Sequence, residues 1–123
     1  MSAKTTKVRT AKAMIEGLLA NDGRARDLFE EALRYQRDAN AILRSATTDA
    51  EVAEAELRNG FYRDTARRLQ RYVMINWGRY LADMGVTESN VHTAIVLTFT
   101  EALRAAWDPS TWPSPTRSRR RTP

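Results

Sequence analysis

All four prolines lie between Pro109 and Pro123, and the chain ahead of them carries apolar residues at three- and four-residue spacing. Proline lacks the backbone N–H, and its ring clashes with the preceding helical turn, so the tail cannot be regular helix. The proline-free stretch before it can be, and its period is that of amphipathic helices. A first helix is expected from about Thr10 to Ala20, with Met14, Ile15, Leu18 and Leu19 on one side. Asn21-Asp22-Gly23 reads as a turn. A second helix is expected from about Arg24 to Ala46, with Leu28, Phe29, Ala32, Leu33, Ala39, Ile42 and Leu43 as its stripe.

Thr48 followed by Glu51 has the form of a capping box and starts a third helix, from about Asp49 to Met84. Gly60 is a place where that helix could bend or divide. Gly85 is a natural stop and Thr87 a natural cap for a fourth helix, from about Glu88 to Trp107. The run Thr93 to Thr100 is rich enough in β-branched residues to suit a strand, but no partner strand is offered elsewhere, and Val91, Ala94, Ile95, Phe99, Ala102, Leu103 and Ala106 keep the helical period. The expected fold is all-α: a small bundle of about four helices over 10–108, with a basic N-terminal arm at 1–9 and a Pro- and Arg-rich tail at 109–123.

Charge is distributed unevenly. The chain has 20 Lys and Arg against 15 Asp and Glu, a net charge of +5. Lys4, Lys7, Arg9 and Lys12 at one end, and Arg117, Arg119, Arg120 and Arg121 at the other, have no acid among them. The body between is mildly acidic. Lysine occurs only in the first twelve residues, and every later basic residue is arginine, whose planar fork suits phosphate. An acidic body with basic ends suggests a holder of polyanions, of which nucleic acid is the commonest.

The third helix strengthens that reading. Arg58, Arg63, Arg67, Arg68, Arg71 and Arg79 lie in a span whose only acid is Asp64. At 100° per residue, all but Arg58 fall within an arc of about 160°. Tyr62, Ala66, Leu69, Tyr72, Val73, Trp77, Tyr80 and Met84 lie on the other side. Arg63 to Arg79 covers about 24 Å of helix, enough to track several phosphates. Gly78 sits within the basic arc, where a missing side chain lets a partner approach the backbone. The plainer alternative is a solvated face that pairs with Asp27, Glu30, Glu31 and Asp38 of the second helix. The aromatic residues can stack on bases if exposed, but their spacing with Leu69 and Val73 makes them core residues first.

Residues 80–95 resemble the helix-turn-helix of DNA-binding regulators. Gly85 stands at the turn, Val86 after it and Thr87 at the cap, with Leu81, Met84, Val91 and Ile95 at the apolar positions. The resemblance implies that Thr87, Glu88, Ser89, Asn90, His92 and Thr93 face the major groove. Leu81 departs from the small residue usual there, and the second helix has no cation before Arg104.

Several function classes are disfavoured. There is no cysteine and one histidine, His92, so no thiolate or His-based metal site is expected. No nucleophile–base pair, carboxylate dyad or phosphate-cradling glycine loop is present, and neither an enzyme, a cofactor nor a small-molecule substrate is expected. No apolar run is long enough to span a bilayer and no secretion signal is read at the start.

The whole build, with its basic start (Lys4 to Lys12), Arg-studded helix (Arg58 to Arg79) and extended tail (Pro109 to Pro123), resembles the major coat proteins of archaeal filamentous and rod-shaped DNA viruses. That resemblance implies double-stranded DNA wrapped by subunits in a helical nucleoprotein, self-association or pairing with a related second coat subunit, and location in the virion. It also implies inter-subunit roles for Trp107 and Trp112. A small helix-turn-helix regulator located in the cytoplasm or nucleoid, and a protein-binding adaptor or inhibitor, are the alternatives.

Overall fold

The computed structural model describes residues 3–105, with side chains from Thr5 onward. They form four helices, α1 (Ala3–Asn21), α2 (Gly23–Ser45), α3 (Asp49–Asp83) and α4 (Glu88–Arg104), and no strand. The all-α expectation holds, including Thr93–Thr100, which is helical. Within that run, Thr98 and Thr100 turn their hydroxyls back to the carbonyls of Ala94 and Val96, at 2.8 and 2.9 Å. Buried or not, each hydroxyl is thereby satisfied inside its own helix.

The caps explain where the helices stop. Asp22 alone links α1 to α2, and its carboxylate accepts from the N–H groups of Arg24 and Ala25. Arg26 reaches back to the carbonyl of Leu19 at 3.1 Å, closing the end of α1. Thr48 and Glu51 form the expected capping box at the start of α3. Asp22 also accepts a hydrogen bond from the Tyr72 hydroxyl at 2.8 Å, which ties the α1–α2 corner to the middle of α3.

The α3–α4 corner is a Schellman turn. Val86 N–H bonds to Leu81 C=O and Gly85 N–H to Ala82 C=O, both at 2.9 Å. Gly85 has φ +75°, a region that strains any side chain. Leu81 and Val86 are both buried, the apolar contact that accompanies this turn.

α2 and α3 form a long antiparallel hairpin, and α1 packs chiefly on α4. α4 returns along α3: His92 meets Gln70, and Phe99 meets Tyr62, eight residues earlier on α3. Phe99 is the keystone. It stacks on Phe29 with centroids 4.4 Å apart and takes the edge of Tyr62. One core joins Ile15, Leu28, Leu33, Leu69, Val73, Leu81, Val91 and Ile95.

Two expectations need correction. Residues 3–9, expected as part of an arm, are the first turns of α1. Val8 packs against the core, and Lys7 donates to the Met84 carbonyl at 2.6 Å, so both hold this segment on the bundle. An ammonium is favoured there because Met84 caps the negative end of α3. Gly60 does not divide the third helix: α3 runs unbroken through it for 35 residues, about 52 Å, with α2 packed along it. The tail 109–123, with Arg117, Arg119, Arg120 and Arg121, lies outside the described residues, as do Trp107 and Trp112.

Candidate nucleic-acid interface

Three arginines of the basic arc share a surface feature. Arg63, Arg67 and Arg71 recur every fourth residue and so rise along one edge of α3. That edge borders two adjoining grooves between α3 and the first half of α4. One, of about 250 Å³, is lined by Arg63, Arg67, Tyr62, Ala66, Ile95 and Val96. The other, of about 530 Å³, is lined by Arg67, Arg71, Met74, Ile75 and Glu88. Arg67, Gln70 and His92 line both, so the grooves are continuous.

Gln70 organises the middle of this surface. Its Oε1 lies 3.1 Å from His92 Nδ1, and its Nε2 donates to Glu88 Oε1 at 3.4 Å. Glu88 belongs in the first turn of α4, where the helix dipole favours an anion. It is the one acid among the lining residues, set against three arginines. The floor is partly apolar: Val96 is 42% exposed, and Ile75, above the second groove, is 74% exposed.

The arginines on this edge have little to neutralise them. Among the described residues, Arg63, Arg68, Arg71 and Arg79 make no ion pair, and Arg67 meets Asp64, on its own helix, at 3.6 Å. Both members of that pair are exposed, so it contributes little. Pairing with the acids of α2, the plainer reading, does not occur for these arginines. Glu31 instead lies 3.5 Å from the Thr65 hydroxyl. Arg68 and Arg79 are exposed farther round the arc, away from the groove lining. Arg58 stands apart from the row, half-exposed and paired with Glu54 one turn earlier. Gly78 does lie open: a methyl placed there would meet only the Met74 side chain, at 3.9 Å.

The cations of α1 are placed differently. Lys7 is engaged with the Met84 carbonyl. Lys12 bridges Glu101 of α4 at 2.7 Å and Glu16 at 3.0 Å. Burial works against its charge, but the hydrogen bonds to Glu101 and Glu16 outweigh that and raise its pKa. Arg9 is exposed, and Lys4 lies in the first turns of the helix. Of the four N-terminal cations, two therefore have structural partners.

The aromatic residues are mostly core, as their spacing predicted. Tyr62 is half-buried, and desolvation raises its pKa. Trp77 sets its edge against Tyr72, with centroids 6.0 Å apart. Tyr80 is the exception, 57% exposed beside Arg79 and free to stack.

The helix-turn-helix segment has the predicted turn and locking residues, but α4 lies back along α3 instead of crossing it. Asn90, expected in the reading set, is buried and completes a capping box with Thr87. His92, Glu88 and Gln70 hold one another at the groove, leaving Ser89 and Thr93 as unengaged members of the set.

No group of three or more potential metal ligands occurs among the described residues, and no helix there is long and apolar enough to cross a membrane. No protein family, curated protein or solved structure matches the chain.

Proposed function

We propose that this chain is a structural nucleic-acid-binding protein, a coat or nucleocapsid subunit that packages double-stranded DNA through sequence-independent phosphate contacts. The observation that carries the reading is the row Arg63, Arg67 and Arg71 along the α3–α4 groove, exposed and nearly free of acid partners. Arginines placed every fourth residue, about 6 Å of helix rise, set a row of guanidinium groups that can meet successive phosphates along a strand. Arg68 and Arg79 extend the cationic arc of α3, Arg9 is an exposed cation on α1, and the arginines of the tail add charge at the other end of the chain. Contacts of this kind position a protein on a duplex without reading its bases. Self-association, or pairing with a related subunit, is part of the proposal, because a coat needs many copies.

The test is binding to two unrelated duplexes of equal length across a salt series, with particle size followed in parallel. A coat subunit should show equal affinity, a steep salt dependence and growth into large or filamentous complexes. A strong preference for one duplex with a fixed dimeric complex would favour the helix-turn-helix regulator. No binding at low salt would overturn both and leave the protein-binding adaptor.

A further inference from the structure

α2 looks in sequence like the acidic partner of the basic third helix, because Asp27, Glu30, Glu31 and Asp38 are interspersed with its arginines. At 100° per residue, Arg37 and Arg44 lie within about 20° of each other and Arg34 about 60° farther round, with Glu30 between Arg37 and Arg34 and with Asp27, Asp38 and Glu31 about 20–60° beyond Arg34. Arg34, Arg37 and Arg44 line a groove of about 490 Å³ between the C-terminal half of α2 and the last turn of α4. Asn40, Ala41 and Leu103 also line it, and Asp38 is its only acid.

None of these three arginines has an ion-pair partner among the described residues, and all three are exposed. The contrast with Arg26 on the same helix is direct, since Arg26 is turned to the carbonyl groups of Leu19 and Ala20. The geometry points to a second phosphate-backbone site at Arg34, Arg37 and Arg44, separate from the α3 groove and built on the other helix of the hairpin. Arg34 and Arg44 are ten residues apart, about 15 Å of helix, a length that spans two to three phosphates of one strand. Arg44 sits in the last turn of α2, where the dipole holds a cation in place without an acid partner. Asn40 supplies a neutral donor between them. Arg104, in the last turn of α4, is also exposed at this end of the bundle. The ligand is the same class as for α3, the phosphodiester backbone, and the inference rests on the nucleic-acid reading above.

The experiment compares three proteins on one random-sequence duplex across 50–200 mM salt: wild type, R34Q/R37Q/R44Q and R63Q/R67Q/R71Q. Each triple variant should flatten the slope of log affinity against log salt by about 2 to 3, which is about a sixty-fold smaller loss of affinity over that range at the upper figure. The two reductions should add. R34K/R37K/R44K should keep most of the slope, which separates charge from packing, and helicity with melting temperature checks that each variant is folded. If wild type binds and R34Q/R37Q/R44Q keeps the full slope, the α2 site is overturned while the function stands. The α2 site falls equally if that variant changes only self-association, because the groove then meets an acidic surface of another copy. If wild type does not bind the duplex at all, both readings fall.

Discussion

Two basic segments of this chain look alike in sequence and behave differently in the fold. α1 carries Lys7 and Lys12 among its first turns, and α3 carries Arg63, Arg67 and Arg71 at its middle. The lysines are committed to the protein itself, Lys7 to the end of α3 and Lys12 to two carboxylates. The α3 arginines border open grooves, and among the described residues only Arg67 makes an ion pair. Local charge density therefore does not tell whether a cation is left open. What distinguishes the two is whether the fold brings a carbonyl or carboxylate to the cation.

The largest expected effect tests the arginines. R63Q/R67Q/R71Q should weaken duplex binding by the same factor for unrelated sequences and lower the salt slope by about 2 to 3. Isothermal or fluorescence titration at several salt concentrations measures it, and an unchanged slope would remove α3 from the interface. The melting temperature should stay near wild type, because exposed side chains with little pairing contribute little to stability.

The next effect tests the corner that Lys7 closes. Gly85→Ala should destabilise the fold by about 1–2 kcal/mol, the cost of a left-handed backbone for a residue with a Cβ. A methyl there would also stand 3.0 Å from the Lys7 Nζ. Chemical denaturation measures the loss. A neutral result would mean that the turn relaxes and that Lys7 does not pin it.

Lys12→Met is the converse of the arginine triple. It should cost about 1 kcal/mol of stability, the scale of a partly exposed ion pair, and leave the salt slope of DNA binding unchanged. A lower slope with unchanged stability would show that Lys12 exchanges its carboxylates for phosphate, and would collapse the distinction between the two segments.

Much of this architecture was legible in local chemistry. Thr48 with Glu51, Gly85 and Thr87 marked helix ends because caps depend on residues three or four apart. The α3 arginine row was legible for the same reason. The start of α1 was not, because Lys7 finds its acceptor 77 residues away and nothing near it in sequence signals that contact. The groove walls were equally hidden. His92 and Val96 come from α4, and their meeting with Arg63 and Arg67 depends on how the two helices pack. On α2, alternating acids and bases concealed an arginine cluster that shows only where a groove against the end of α4 gathers Arg34, Arg37 and Arg44.

The smallest effect concerns pH and sharpens the contrast between internal and external polar groups. The Tyr72 hydroxyl donates to Asp22, and that hydrogen bond, with smaller contributions from desolvation and the Asp22 charge, raises its pKa above the usual 10.0. The protonated phenol is therefore the form the fold favours. Its stabilisation is complete below the unfolded value near 10.0 and disappears as pH rises through the higher folded value. Lys12 acts in the same direction, since its raised pKa keeps the ammonium and its two ion pairs until pH passes above 10.5. Wild type should thus lose stability above about pH 10, and Tyr72→Phe should be slightly less stable at neutral pH with a shallower alkaline decline. Melting temperatures measured from about pH 8 to 11 check this. An identical decline in the variant would show that the Asp22–Tyr72 contact does not hold the α1–α2 corner against α3.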